Sequence, residues 1–186
     1  MLYPAPAVLV STADRAGNDN LITIAWTGTV CSDPAMTYIS VRKSRYSYHM
    51  LKETREFVIN LTTEKLLRAA DYCGVRSGRD VDKFKEMHLT RGKACTVCVP
   101  VLEESPVNIE CSVTQVLELG SHDMFLARVT AVQVDEEYLD EKGRLDLGRA
   151  GLIAYSHGEY RTMGKVLGTF GCSVKKQTKK VKRTDR

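Results

Sequence analysis

The chain has 186 residues, 43% hydrophobic and 27% charged, which suits a single globular domain able to bury its own core and excludes collagen-like, coiled-coil and wholly disordered chains. The formal charge of +4 is uneven, because residues 175–186 carry +6 and the 174 residues before them a net −2. No apolar run approaches the roughly 18 residues of a membrane span, and the start MLYPAPAVLVSTAD lacks a basic leader region, so a cytoplasmic protein with no membrane role is expected.

In chain order, Ala7 to Thr12 reads as a strand, and Gly17, Asn18, Asp19 and Asn20 supply a tight reversal before a second strand from Leu21 to Ala25. A third strand, Met36 to Val41, leads to a short helix from Ser44 to Glu53 entered through Ser44 or Ser47 as N-cap. Phe57 to Asn60 is a fourth strand. Glu64 to Cys73 carries Leu66, Leu67, Ala69, Ala70 and Tyr72 at helical spacing, with Gly74 as the terminating residue. The segment TVCV before Pro100 reads as a strand, which would send Cys95 and Cys98 to opposite faces, so no metal site is expected there and the six cysteines are taken as thiols. Val107, Ile109, Cys111 and Val113 alternate with polar residues, placing Glu110 on a solvated face, until the phase breaks at Gln115, where a bulge is expected. Gly120 to Asp123 turns the chain into a returning strand, Met124 to Val134, and an exposed charged stretch follows. Many strands and few helices favour a small β-barrel over a doubly wound sheet. Residues 1–174 form the domain. The basic tail, 175–186, is expected to be flexible and solvated, because no aromatic residue interrupts it to stack on bases, so no nucleic-acid partner is expected.

Two clusters carry the chemistry of anion binding. SVRKSRYSY, residues 40–48, sets Arg42, Lys43 and Arg45 beside the hydroxyls of Ser40, Ser44 and Ser47 where a helix begins. CGVRSGRDVDKF, residues 73–84, repeats the pattern with Arg76, Ser77, Gly78, Arg79 and Lys83, and Gly78 lets the backbone approach an anion. Together they suggest one phosphate held from two sides. TIAWTGT, residues 23–29, surrounds Trp26 with small residues and hydroxyls against which a flat ring can lie. Neither a dinucleotide fingerprint nor a P-loop is present.

These three segments, with EFVINL, ESPVNIEC, GSHDMF and AYSHGEY in the same order, resemble the flavin reductase-like family of FMN-binding split barrels, which includes flavoredoxin and NAD(P)H:flavin oxidoreductases. The similarity spans nearly all of residues 3–174. It implies a mainly β fold with short helices, a Greek-key split barrel. By the same resemblance Thr23, Ala25, Trp26, Thr27, Gly28 and Thr29 wrap the edge of the isoalloxazine, Ser40, Arg42, Arg45 and Ser47 meet the ribityl chain and phosphate, and Asn60 meets the polar edge of the ring. Ser77, Gly78, Arg79 and Lys83 close the phosphate site, and Phe84 reaches the cofactor of a second copy in a homodimer. His122, in a Gly-Ser-His-Asp turn where the family carries Gly-Asp-His, and His157 are the candidate catalytic residues; His49 and His88 read as structural. The implied activity is a flavin reductase passing electrons from NADH or NADPH through FMN to a flavin, metal or protein acceptor. A flavoredoxin-like electron carrier and a non-catalytic FMN-binding or sensing protein are the alternatives.

Overall fold

The computed structural model describes residues 2–174, and the basic tail lies outside them. The chain opens with β1 (Ala5–Pro6) and β2 (Val8–Ala13), and β3 (Asp19–Ile24) returns antiparallel to β2. Their turn is locked by the Asn18 amide donating to Asp14 Oδ1 at 2.8 Å, with Gly17 at φ +88°, a backbone conformation that favours glycine. β4 (Thr27–Ser32) and β5 (Ala35–Arg42) form the next hairpin. β4 was absent from the expected elements, because its half-exposed TGTVCS has neither alternation nor an apolar face that periodicity can detect.

α1 (Ser47–Thr54) begins at Ser47, with Tyr46 in the N-cap position and no side-chain cap, a correction to the expected serine cap. β6 (Glu56–Leu61) follows, and a 3-10 turn at Glu64–Leu66 leads into α2 (Leu67–Val75). Gly74 lies inside α2 rather than ending it, facing β3, where an added Cβ would stand 3.4 Å from Thr23 Cβ. Then come the single turn α3 (Lys83–Glu86), β7 (Arg91–Gly92), β8 (Val101–Leu102), β9 (Val107–Glu118), β10 (His122–Val134), β11 (Ile153–Ser156) and β12 (Glu159–Thr162). The 96–99 segment is an irregular loop between β7 and β8, not a strand. The β9–β10 pairing has two register shifts: one at Thr114, one residue before the expected bulge, since Val113 pairs with Ala127 and Gln115 with Leu126, and one at Thr130, between Val129 and Ala131.

The main sheet has the order β3-β2-β6-β9-β10-β5-β4, antiparallel throughout. Its two edge strands, β3 and β4, are joined by Ala25 and Trp26 alone, so the sheet has to curl until its edges meet. The Ser40 amide donates to the Trp26 carbonyl at 2.9 Å, extending the β4–β5 ladder into that link. The result is a barrel split along one side, mainly β with short helices, as expected.

Alternation on β2 feeds two cores. Val8 and Val10 face the barrel interior with Ile39, Phe57 and Phe125, and α1 plugs one end with Tyr48 and Leu51. Leu9 points outward against Leu66, Ala69 and Cys73 beneath α2 and Phe84 of α3. Phe57, Phe125 and Ile39 are fully buried, and each such side chain contributes about 1.5–3 kcal/mol through burial.

Glu110 corrects a further expectation. It is fully buried, with its carboxylate accepting from the Cys95 amide at 2.8 Å, the Thr96 amide at 2.6 Å, the Thr96 hydroxyl at 2.7 Å and Gln133 Nε2 at 2.9 Å. The loop carrying Cys95 and Cys98 folds over β9, and both thiols are exposed.

Candidate functional site

Two adjoining clefts open at the seam. The first, about 210 Å³, is lined by Ile22, Thr23, Ile24, Ala25 and Trp26 from the end of β3 and the link, by Ser40, Val41, Arg42 and Arg45 at the end of β5, and by His122 at the start of β10. The second, about 220 Å³, shares Ile22 and Arg45 with it and continues to Asn20, Ser44, Tyr46, Arg76, Ser77, Gly78, Arg79 and Lys83. Strand ends supply the first and the α2–α3 connection supplies the second.

The first cleft has flat, firmly held walls. The Thr23 hydroxyl donates to the Ala70 carbonyl of α2, tying the strand to the helix. Trp26 packs against His122 with ring centroids 4.6 Å apart and the planes tilted by 45°. His122 Nδ1 is hydrogen bonded to Ser121 Oγ at 2.9 Å. Burial, followed by the charges of Arg42 and Arg45, lowers its basicity, so the imidazole stays neutral at pH 7.

The second cleft is electropositive. Lys83 is only 4% exposed, and its ammonium donates to the carbonyls of Leu21 at 2.6 Å and Cys73 at 2.9 Å. Burial, with Cys73 opposing and Arg45 assisting, pushes its pKa down to about 8. Arg45, Arg76 and Arg79 line the same space, no Asp or Glu lines either cleft, and among the described residues none of these cations has a carboxylate in ion-pair range. Ser77 Oγ accepts from the Arg79 amide at 3.2 Å, shaping the loop. One buried ammonium beside three exposed guanidiniums, none with a counter-charge among the described residues, suits a polyanion such as a phosphate.

Gly78 makes that cradle possible. A Cβ at this position would collide with Asn20 Oδ1 and stand 2.6 Å from Tyr46 Cδ1. Gly78→Ala should therefore lower stability by about 1–3 kcal/mol through overpacking, read by urea denaturation, and distort the cleft.

The structure brings Thr23, Ala25, Trp26, Ser40, Arg42, Arg45, Ser77, Gly78, Arg79, Lys83 and His122 together around these clefts. Thr27 faces a neighbouring cavity with Tyr3 and Tyr38, its hydroxyl held by the Tyr38 carbonyl at 2.6 Å, while Gly28 and Thr29 lie farther along β4. Three further expected site residues line neither cleft. Ser47 is fully buried, and its hydroxyl accepts from Thr12 at 2.9 Å and Asn20 at 2.8 Å. Asn60 is fully buried between Leu9, Ser11 and the Leu102 amide, where it ties β2, β6 and β8 together. Phe84 is 1% exposed, in the core beneath α2. His157 sits in the β11–β12 turn at φ +49°, stacked on Tyr3 at 4.7 Å, and lines neither cleft. Asn20, Ile22 and Tyr46 were not among the expected site residues. Asn20 had been assigned to a turn, and only the packing of Gly78 against it shows its second use.

The fold and site define the class as a split antiparallel β-barrel with a cation-lined cleft at its seam. The chain matches the flavin reductase like domain model over residues 1–164 and belongs to that family. It is similar to the flavoredoxin of Desulfovibrio vulgaris (Miyazaki F), with 32% identity, 94% of this chain and 95% of that one covered and a TM-score of 0.87. It is also similar to an FMN-binding protein from Thermus thermophilus, with 28% identity, 86% of each chain and a TM-score of 0.74. Among curated proteins it is similar to the FMN reductase (NADH) RutF of Acinetobacter baylyi, 24% identical over 127 residues, 68% of this chain and 65% of that protein. The family supports a flavin-related oxidoreductase function. No helix among the described residues is long and apolar enough to cross a membrane.

Proposed function

We propose that the protein is an FMN-binding flavin reductase that takes electrons from NADH or NADPH, with the FMN phosphate in the second cleft and the ring in the first. The observation that carries this reading is Lys83, a buried ammonium with only carbonyl partners in a wall shared with three arginines and no acid. FMN, when bound, supplies the two-electron chemistry of its ring. The chain's own work is to hold it. Ser77, Arg79 and Lys83 present hydrogen-bond donors to the phosphate, and Gly78 keeps the backbone out of its way. Thr23, Ala25 and Trp26 support the ring. Arg42 supplies positive potential near it, and neutral His122, braced by Trp26, borders the entrance without adding a charge. The body 1–174 forms the working domain of a homodimer, with the tail outside it.

The test is anaerobic stopped-flow absorbance of the flavin-loaded protein mixed with NADH and, separately, NADPH. Bleaching of the flavin band at a rate that saturates with one of them supports the reductase. The similarity to flavoredoxin favours a second reading, an electron carrier, which is supported instead if neither nucleotide bleaches the flavin while a chemical reductant does. Protein that retains no flavin overturns both.

A further inference from the structure

Arg91 lines neither cleft. It is the N-terminal residue of the short strand β7, and its guanidinium makes three attachments. Nε and Nη2 donate to the two carboxylate oxygens of Asp19 at 2.6 and 2.9 Å, a bidentate pair. Nη2 also donates to Asp82 Oδ1 at 3.0 Å. Its carbon lies 4.2 Å above the centroid of the Phe84 ring.

The chain neighbours of those three partners are what the site uses. Asp19 precedes Asn20, which lines the second cleft and packs against Gly78. Asp82 and Phe84 flank Lys83, and Asp82 also caps α3 by accepting from the Lys85 amide at 3.2 Å. Lys83 in turn spans from α3 to the Leu21 carbonyl of β3 and the Cys73 carbonyl of α2. The gap between the start of β3 and the start of α3 is thus bridged on the cleft side by Lys83 and on the far side by Arg91.

We propose that Arg91 is a positioning residue for phosphate binding, a clamp that fixes the spacing between β3 and α3 so that the Lys83 ammonium and the Gly78 backbone stay in register with each other. It touches no ligand. Its anchor on the opposite side is firm, because β7 pairs with β8 and the Leu102 amide of β8 donates to the buried Asn60 side chain at 3.0 Å. Arginine fits this role because its planar fork reaches two carboxylates at once while its face covers an aromatic ring, which lysine cannot reproduce.

The inference rests on the assignment of FMN phosphate to the second cleft, and its test separates the two. Full-length protein freed of flavin is titrated with FMN and with riboflavin by quenching of flavin fluorescence, for the native chain, R91M, R91K, D19N and K83M. R91M, which keeps an apolar stem over Phe84, is expected to weaken FMN about five- to twentyfold and riboflavin less than twofold. R91K should recover part of the loss. D19N removes one arm of the clamp and should show a smaller, equally FMN-selective loss, which carries the test if R91M does not fold. Equal loss of FMN and riboflavin in R91M or D19N overturns the clamp and makes Arg91 a general support of the fold. Unchanged FMN affinity in folded R91M also overturns it. If K83M shows no FMN selectivity, it is the phosphate assignment that fails; if K83M is selective and R91M is not, only the clamp fails.

Discussion

Lys83→Met is expected to weaken FMN by ten- to a hundredfold while leaving riboflavin nearly unaffected. Hydrogen bonds to charged groups contribute about 1.5–3 kcal/mol each, and every 1.4 kcal/mol is a factor of about ten in affinity. Methionine keeps the apolar stem, so the loss reports the ammonium. The pH dependence gives an independent reading of the same atom. Burial holds the Lys83 pKa at about 8 without ligand, and a bound phosphate stabilises the protonated form, so the pKa in the complex is higher. FMN affinity is then full below about pH 8 and falls as pH rises from there towards the pKa of the complex, by at most about tenfold per pH unit. Riboflavin affinity stays flat over that range. In K83M the FMN curve should flatten as well, and calorimetric titrations between pH 7 and 9.5 measure both. An FMN curve in K83M that still bends near pH 8 would assign the titration to another group.

The second large effect concerns stability. Glu110→Ala removes an acceptor that four donors share, leaving the amides of Cys95 and Thr96, the Thr96 hydroxyl and Gln133 Nε2 to find new partners. The expected cost is about 3–5 kcal/mol, the range for removing one member of a buried charge-assisted set. Burial alone would raise the pKa of Glu110, but the donors from Cys95, Gln133 and Thr96 outweigh it and hold the carboxyl down at about 2. Because the folded value lies below the unfolded one, the stabilisation is fully present above about pH 4.5 and is lost as pH falls towards 2, by about 3 kcal/mol in all. Urea denaturation at pH 7 and at pH 3 tests this. The native chain should lose much of its advantage over Glu110→Gln at the lower pH. A gap between the two that does not narrow on acidification would show that Glu110 acts through shape and not through charge.

What the sequence made legible follows from range. The two basic clusters are local, each within a dozen residues, and cations, hydroxyls and a glycine at a turn announce anion chemistry without any tertiary information. β2, β3 and β9 were legible because alternation or an apolar run marks a buried face. Glu110 was misjudged because its strand neighbours Ile109 and Cys111 say only which way it points, whereas three of its four donors come from a loop that folds over β9 from fourteen and fifteen residues earlier and the fourth, Gln133, from β10. Asn60 is placed in the site by likeness to a motif, and Ser47 by its hydroxyl beside the basic cluster as well as by likeness. Both hydrogen bond inward, and nothing in EFVINL or RYSY separates an inward amide or hydroxyl from one turned to a cleft. Arg91 was invisible for a related reason, since its partners Asp19 and Phe84 lie seventy-two residues before it and seven residues before it.

The Ala25–Trp26 link between the edge strands has a consequence for how this chain can drift over generations. Most of its connections are surface loops, such as the exposed stretch around residues 135–146, and insertions there cost little because loop closure grows only slowly with length. The link at the seam has no such latitude. Its two residues run between strands already fixed by their own partners, β3 by β2 and β4 by β5, so an added residue there would move the edges of the sheet apart, and the place where a ring can lie is inherited at fixed span.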